Sequence, residues 1–202
     1  PMWVAEMDVA LQAPVKAALE AAFDSGDTGY PHGTAYAEAF GVMAATRWDW
    51  RLDVPAQVRR AGDVMNSMLA VLDAISEPGD AVVINPPVYP PFRQVIAGYR
   101  RRIVEAPLTP AGRLDLTSLE AAFAGPARPN SYLLCSPHNP SGAVHTEAEL
   151  TAVMALSEQY GVRVIVDEIH ACLVDPGTTF VPLLTVPGGE RAISVTSAGK
   201  AW

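Results

Sequence analysis

The chain has 202 residues, half of them hydrophobic and 18% charged, which excludes disorder and is enough for one large domain or two small ones around a buried core. Its 22 acidic and 14 basic residues leave a formal charge of −8, which argues against a general nucleic-acid or anionic-membrane binder, because both need a basic face.

Helix and strand signals alternate along the sequence. Val15, Leu19, Ala22 and Phe23 recur at helical spacing and predict a helix over residues 13–24. A loop dense in turn formers follows at residues 26–33, then a second helix over 35–46. Residues 57–61 read as a short strand, broken by Gly62-Asp63, and residues 64–75 as a strongly apolar helix. Ala81-Val82-Val83-Ile84 is β-branched without polar alternation, the pattern of a strand buried on both faces. A proline-rich loop and a short helix to about residue 97 come next, then a strand over 101–105 and a helix over 119–124. Residues 131–135 and 162–166 are further apolar strands, separated by a helix that Thr146 and Glu149 open as a capping box. A last strand covers 192–195. This alternation predicts an α/β fold, a mostly parallel sheet with helices on both faces, in which ligands bind beyond the carboxyl ends of the strands.

What lies at those ends is chemically varied. Val64 and Met65 open a helix, whose free N–H groups suit an anion; the alternative is an ordinary turn with Asp63 as N-cap. Tyr89 sits in Pro86-Pro87-Val88-Tyr89-Pro90-Pro91-Phe92, either a fixed aromatic plate or a packing side chain. Asn139, in Pro137-His138-Asn139-Pro140-Ser141-Gly142, offers a donor and an acceptor to a ligand, or simply makes a tight turn. His138 has no partner at metal-ligand spacing and reads as structural; no metal site is expected. Asp167 and Glu168 follow five apolar residues, where a carboxylate either meets a cation or turns to solvent. Twelve arginines against two lysines, Lys16 and Lys200, read as codon bias. Of the two lysines only Lys200 follows a strand, where a lysine can form a Schiff base or remain an ordinary surface residue. Taken together, these groups are what pyridoxal phosphate requires: a lysine for its aldehyde, an acid for its ring nitrogen, an aromatic plate, a donor to its phenolic oxygen and a phosphate cup.

With those residues in view, the chain resembles the fold type I pyridoxal-phosphate enzymes, the aspartate-aminotransferase superfamily (class I/II), and within it the cystathionine β-lyase / C–S lyase branch. The resemblance rests on Met2-Trp3-Val4-Ala5-Glu6-Met7-Asp8, the Tyr89 and Asn139 stretches, Asp167-Glu168-Ile169-His170 and Ser197-Ala198-Gly199-Lys200, in family order across nearly the whole chain. It implies the large domain of the PLP-dependent transferase fold, with residues 1–33 as an N-terminal segment and loop contributing to a dimer active site, and 34–202 as the cofactor domain. It implies that Lys200 bonds the cofactor and moves the Cα proton, that Asp167 pairs with the ring nitrogen and that Asn139 binds the phenolic oxygen. His170 would stand near that oxygen, where many aminotransferases have a tyrosine. Tyr89 would stack on the ring, the N–H groups of Val64 and Met65 would hold the phosphate, and Val4 and Ala5 would line the substrate side. Tyr30 would reach the phosphate of a neighbouring subunit, which makes a homodimer with shared sites the expected assembly.

The implied reaction is β-elimination on a sulfur amino acid such as cystathionine; an aminotransferase and a non-catalytic cofactor-binding fragment are the alternatives. A nucleotide-binding domain finds no GxGxxG or GxxxxGK[ST] run to support it. Gly199 stands where the family commonly has serine, which removes one hydroxyl from the phosphate side. The family continues for about another domain's length, so a small C-terminal domain, the arginine that grips the substrate carboxylate and an N-terminal arm are expected outside this chain. Cys135 and Cys172 cannot form a disulfide framework, no apolar run approaches the roughly 20 residues of a membrane span, and residues 1–8 lack the basic stretch of a secretory leader. No membrane or nucleic-acid partner is expected, and a reducing cytoplasm is the expected compartment.

Overall fold

The computed structural model describes residues 8–30 and 32–201. They fall into two compact units, one of residues 60–197 and one formed by residues up to 59 together with 198 onward.

The larger unit is built on five parallel strands: β1 (Ala81–Ile84), β2 (Arg102–Glu105), β3 (Ser131–Cys135), β4 (Arg163–Asp167) and β5 (Ile193–Val195). Their order is β2-β1-β3-β4-β5. Side chains alternate between two apolar layers, as the two-residue period of a strand dictates. Tyr132, Leu134, Val164 and Val166 pack on one face, beneath the helices at Leu116–Ala124 and Glu147–Tyr160. Leu133, Cys135, Ile165 and Val195 pack on the other, beneath the helices at Val64–Ile75 and Pro91–Gly98. β1 and β3 are buried along their whole length, which explains their lack of polar alternation. Each fully buried leucine there contributes about 1.5–3 kcal/mol of transfer energy.

In chain order the helices are α1 (Ala13–Asp24), α2 (Ala35–Trp48), α3 (Val54–Gln57), α4 (Val64–Ile75), α5 (Pro91–Gly98), α6 (Leu116–Ala124) and α7 (Glu147–Tyr160). The capping box expected at α7 is present in both directions, Thr146 Oγ1 accepting the Glu149 N–H and Glu149 accepting that of Thr146. Gly161 ends α7 in the left-handed conformation, at φ 69°, which glycine adopts without strain. α6 starts at Leu116, before the expected residue 119, because Asp115 caps it through the Ser118 N–H at 3.0 Å.

Residues 57–61 do not form the expected strand. Asp53 caps the preceding turn through the Ala56 N–H, and Pro55 favours a helix start there, so Val54–Gln57 closes as α3. Val58 alone, beside Arg59 and Arg60, is too little apolar sequence to hold a place in a sheet.

The smaller unit holds α1 to α3 and a 3-10 turn at Ala198–Lys200. Phe40 and Trp50 meet edge to face at 6.0 Å, and α2 and α3 are packed so closely that a Cβ on Gly41 would lie 2.8 Å from Val54. The Tyr36 hydroxyl accepts the Ala198 N–H at 3.4 Å, joining the late turn to α2. α1 buries none of its residues, and Leu19 and Phe23 are exposed.

Candidate functional site

The strand order reverses direction between β1 and β3, and the crevice at such a point, beyond the carboxyl ends, is where parallel α/β sheets take ligands. Tyr89 follows β1 and Asn139 follows β3, so both expected contacts flank that crevice. Tyr89 is half-buried and edge-on to Phe92 at 6.1 Å, which holds the ring against the α4 and α5 layer. Asn139 is half-buried too. Its loop is held by Cys135, whose Sγ accepts the Asn139 N–H and donates to the Pro137 carbonyl, both at 3.3 Å.

Asp167 is the last residue of β4 and is only 5% exposed. It pairs in register with Cys135 and has the same strand parity as Ile165, on the face covered by α4 and α5. Its Oδ1 accepts the Ile169 N–H at 3.1 Å. Glu168, the next residue, is 3% exposed, so neither acid turns to solvent. Burial pushes the Cys135 thiol up to about 12, and the negative charge of Asp167 pushes it the same way. Cys135 is accordingly expected to resist alkylation by iodoacetamide at pH 8 in the folded chain and to react after denaturation. Peptide mass spectrometry reads this directly, with the half-buried Cys172 as internal comparison.

Val64 is the first residue of α4 and is buried, with Met65 half-buried beside it. Asp63 caps this start, its carboxylate accepting the Asn66 N–H at 2.8 Å. That bond, first of all, lowers the pKa of Asp63. An anion held by the Val64 and Met65 N–H groups therefore shares the helix start with an acid.

His170 follows β4 and opens a 3-10 turn at Ala171–Leu173. It lines, together with Asn139, a cavity of about 580 Å³ whose walls include Arg113, Val144, Leu173 and Thr178. Tyr30 and Lys200 belong to the smaller unit: Tyr30 is 97% exposed and Lys200 is half-buried in the late 3-10 turn. Val4 and Ala5 lie outside the described residues. The donor set fits pyridoxal phosphate, since a buried acid at a strand end, an aromatic plate, an amide and a helix start are the partners of a pyridinium, a ring, a phenolate and a phosphate.

Residues 61–202 match the family described as aminotransferase class I and II. The chain belongs to that family. A Mycobacterium leprae (strain TN) protein, provisionally named a cystathionine beta-lyase, is 49% identical over 209 residues, covering 100% of this chain and 52% of the relative. Cystathionine beta-lyase PatB of Bacillus subtilis is 33% identical over 206 residues, again covering 100% of this chain and 52% of the relative. Among solved structures, cystalysin from Treponema denticola, which contains a pyridoxal 5'-phosphate cofactor, superposes with a TM-score of 0.89 at 26% identity, over 98% of this chain and 51% of that one. The chain thus spans about half the length of the relatives it matches. Among the described residues, no helix is long and apolar enough to cross a membrane, and no cluster of three or more histidine, cysteine or acidic residues suits a metal ion.

Two further features of this aminotransferase-family chain were not legible as pairs. Arg113 binds Glu149 through Nε at 2.8 Å and through its second terminal nitrogen, and also reaches the Val144 carbonyl. Burial opposes the charge on Glu149, but Arg113 and Thr146 outweigh it and hold the carboxyl down at about 2. His145 Nε2 lies 3.2 Å from the Cys135 carbonyl, so it carries the proton, and Nδ1 is buried without a partner among the described residues. Burial therefore pushes His145 down to about 4. A buried neutral histidine stabilises the fold fully above its unfolded pKa near 6.5, and that stability is lost as pH falls from about 6.5 to 4. On the order of 3 kcal/mol is at stake for a shift of this size. Urea unfolding at pH 7 and pH 4.5 checks it: the pH 4.5 penalty should shrink in His145→Gln.

Proposed function

We propose that this chain is the cofactor-binding part of a pyridoxal-phosphate-dependent C–S lyase that cleaves a sulfur amino acid such as cystathionine. The observation that carries the reading is Asp167, a carboxylate buried at the end of an interior strand beside the Asn139 loop, a position whose negative charge suits a cationic ligand group. Similarity over the whole chain to proteins named cystathionine beta-lyase supports the substrate class.

Pyridoxal phosphate supplies an electron sink for the charge left at Cα when a proton departs. Asp167 would hold a proton on the ring nitrogen, and Asn139 with His170 would bind the phenolic oxygen. Tyr89 would pack against the ring, and the N–H groups of Val64 and Met65 would bind the phosphate. Lys200 would be the residue that holds the cofactor through its amine, and Nζ would take the Cα proton in turnover. Val4 and Ala5 would line the substrate side. With one water consumed, cystathionine yields a thiol, pyruvate and ammonia.

Tyr30, almost fully exposed, is free to reach a second copy, and we read the working enzyme as a homodimer with shared sites in the cytoplasm. The family description favours an aminotransferase as second reading. Incubation with cystathionine separates the two. Thiol and pyruvate support the lyase, and a 2-oxo acid formed only with an added acceptor supports transamination. Cofactor binding without either product identifies a non-catalytic binding unit, and the absence of a visible cofactor band sinks all three.

A further inference from the structure

Among the described residues, Glu168 is a buried acid that the proposed chemistry leaves without a task. It is nonetheless densely bonded. Oε1 accepts the Leu183 N–H at 2.8 Å and Oε2 accepts the Ser194 hydroxyl at 2.5 Å. The Glu168 N–H donates to the Val195 carbonyl at 2.9 Å, and its own carbonyl accepts the Thr196 hydroxyl at 3.3 Å. One residue therefore ties the end of β4 to β5, to the residue just past β5, and to the 3-10 turn at Leu183–Thr185. That turn is closely packed: a Cβ on Gly189 would lie 2.1 Å from the Leu183 carbonyl oxygen. Strand alternation points Glu168 into the α6 and α7 layer and Asp167 into the opposite one, so the two acids share a backbone and not a site.

We propose that Glu168 is a positioning residue that fixes the carboxyl end of β4, and through it the direction of the Asp167 carboxylate. The proposal rests on the reading of Asp167 as the partner of the cofactor ring. Burial pushes the Glu168 carboxyl up to about 7, against the pull of Ser194 and Leu183, and the charge of Asp167 adds to the rise. Both protonation states preserve the clamp, because a neutral carboxyl still accepts from Leu183 and can donate to the Ser194 oxygen. A glutamine should do the same.

The test is pyridoxal-phosphate titration of the parent, Glu168→Gln and Glu168→Leu, read by visible absorption, with thermal unfolding of each cofactor-free protein alongside. Leucine fills the space and lacks the two side-chain hydrogen bonds, while the two backbone bonds can persist. The expected result is a cofactor Kd within about threefold of parental for Glu168→Gln and weakened roughly 10- to 100-fold for Glu168→Leu, the range for residues that orient a ligating group. In an Asp167→Asn background the Glu168→Leu effect should fall to within about twofold, since a residue acting through Asp167 has nothing left to orient. Parental affinity in Glu168→Leu, with only its unfolding temperature lowered, overturns the proposal, and so does an undiminished effect in the Asp167→Asn background. If Glu168→Leu does not fold, Ser194→Ala with Thr196→Val removes two of the four bonds, and parental affinity in that variant overturns it equally. A parent that binds no cofactor removes the proposed function and this proposal together; a parent that binds, with insensitive variants, removes this proposal alone.

Discussion

Lys200→Ala is expected to abolish the visible absorption that the protein gains with pyridoxal phosphate and to lower thiol release from cystathionine by about 100- to 10,000-fold, the range for loss of a positioned acid–base group. Lys200 carries the one lysine amine that follows a strand, since the other lysine, Lys16, lies in α1 beside Glu20, with 3.5 Å between Nζ and the carboxylate. Arginine stays protonated and cannot replace either function. Lys200 also sits in a 3-10 turn whose first residue, Ala198, is tied to Tyr36 through its backbone N–H, a bond that the substitution leaves in place. The variant should therefore fold. Far-UV circular dichroism, a cofactor spectrum and a thiol assay together check it. A visible band of parental height in Lys200→Ala would falsify the assignment.

The second large effect is expected at Asp167. Replacing it with asparagine keeps an acceptor for the Ile169 N–H and removes the buried negative charge. Removing one member of a buried ion pair costs about 3–5 kcal/mol, so turnover should fall by roughly 100- to 1,000-fold or more. The cofactor-free protein should unfold at or above the parental temperature, because the substitution removes a buried negative charge that pushes the neighbouring Cys135 and Glu168 upward. Opposite movements of turnover and unfolding temperature are the signature to measure. A parallel loss of both would mean that Asp167 is a packing residue.

Local signals carried most of the fold. The β-branched run at β1, the apolar run at β3 and the Thr146–Glu149 capping box each announce their element within a few residues, because propensity, burial and capping all act locally. Residues 57–61 misled for the same reason: a single valine between turn formers looks like a strand until the cap at Asp53 claims the turn before it. At the site, Tyr89, Asn139 and Asp167 were legible because each follows a recognisable strand, and strand ends converge in a parallel sheet. The long-range contacts elsewhere in the sheet layers were not. Arg113 meets Glu149 across 36 positions and Glu168 meets Leu183 across 15, and no periodicity encodes which distant partners the sheet brings together.

The alternation of Asp167 and Glu168 also sets how this segment can tolerate change in length. A single residue inserted into or deleted from β4 would turn every following side chain to the other layer, sending Asp167 toward α6 and α7 and Glu168 toward α4. Both acids would remain in the sequence, adjacent and buried, yet their tasks would be exchanged. The strand therefore works as a ruler, and length changes between Arg163 and Glu168 are far less forgiving than substitutions at its apolar positions.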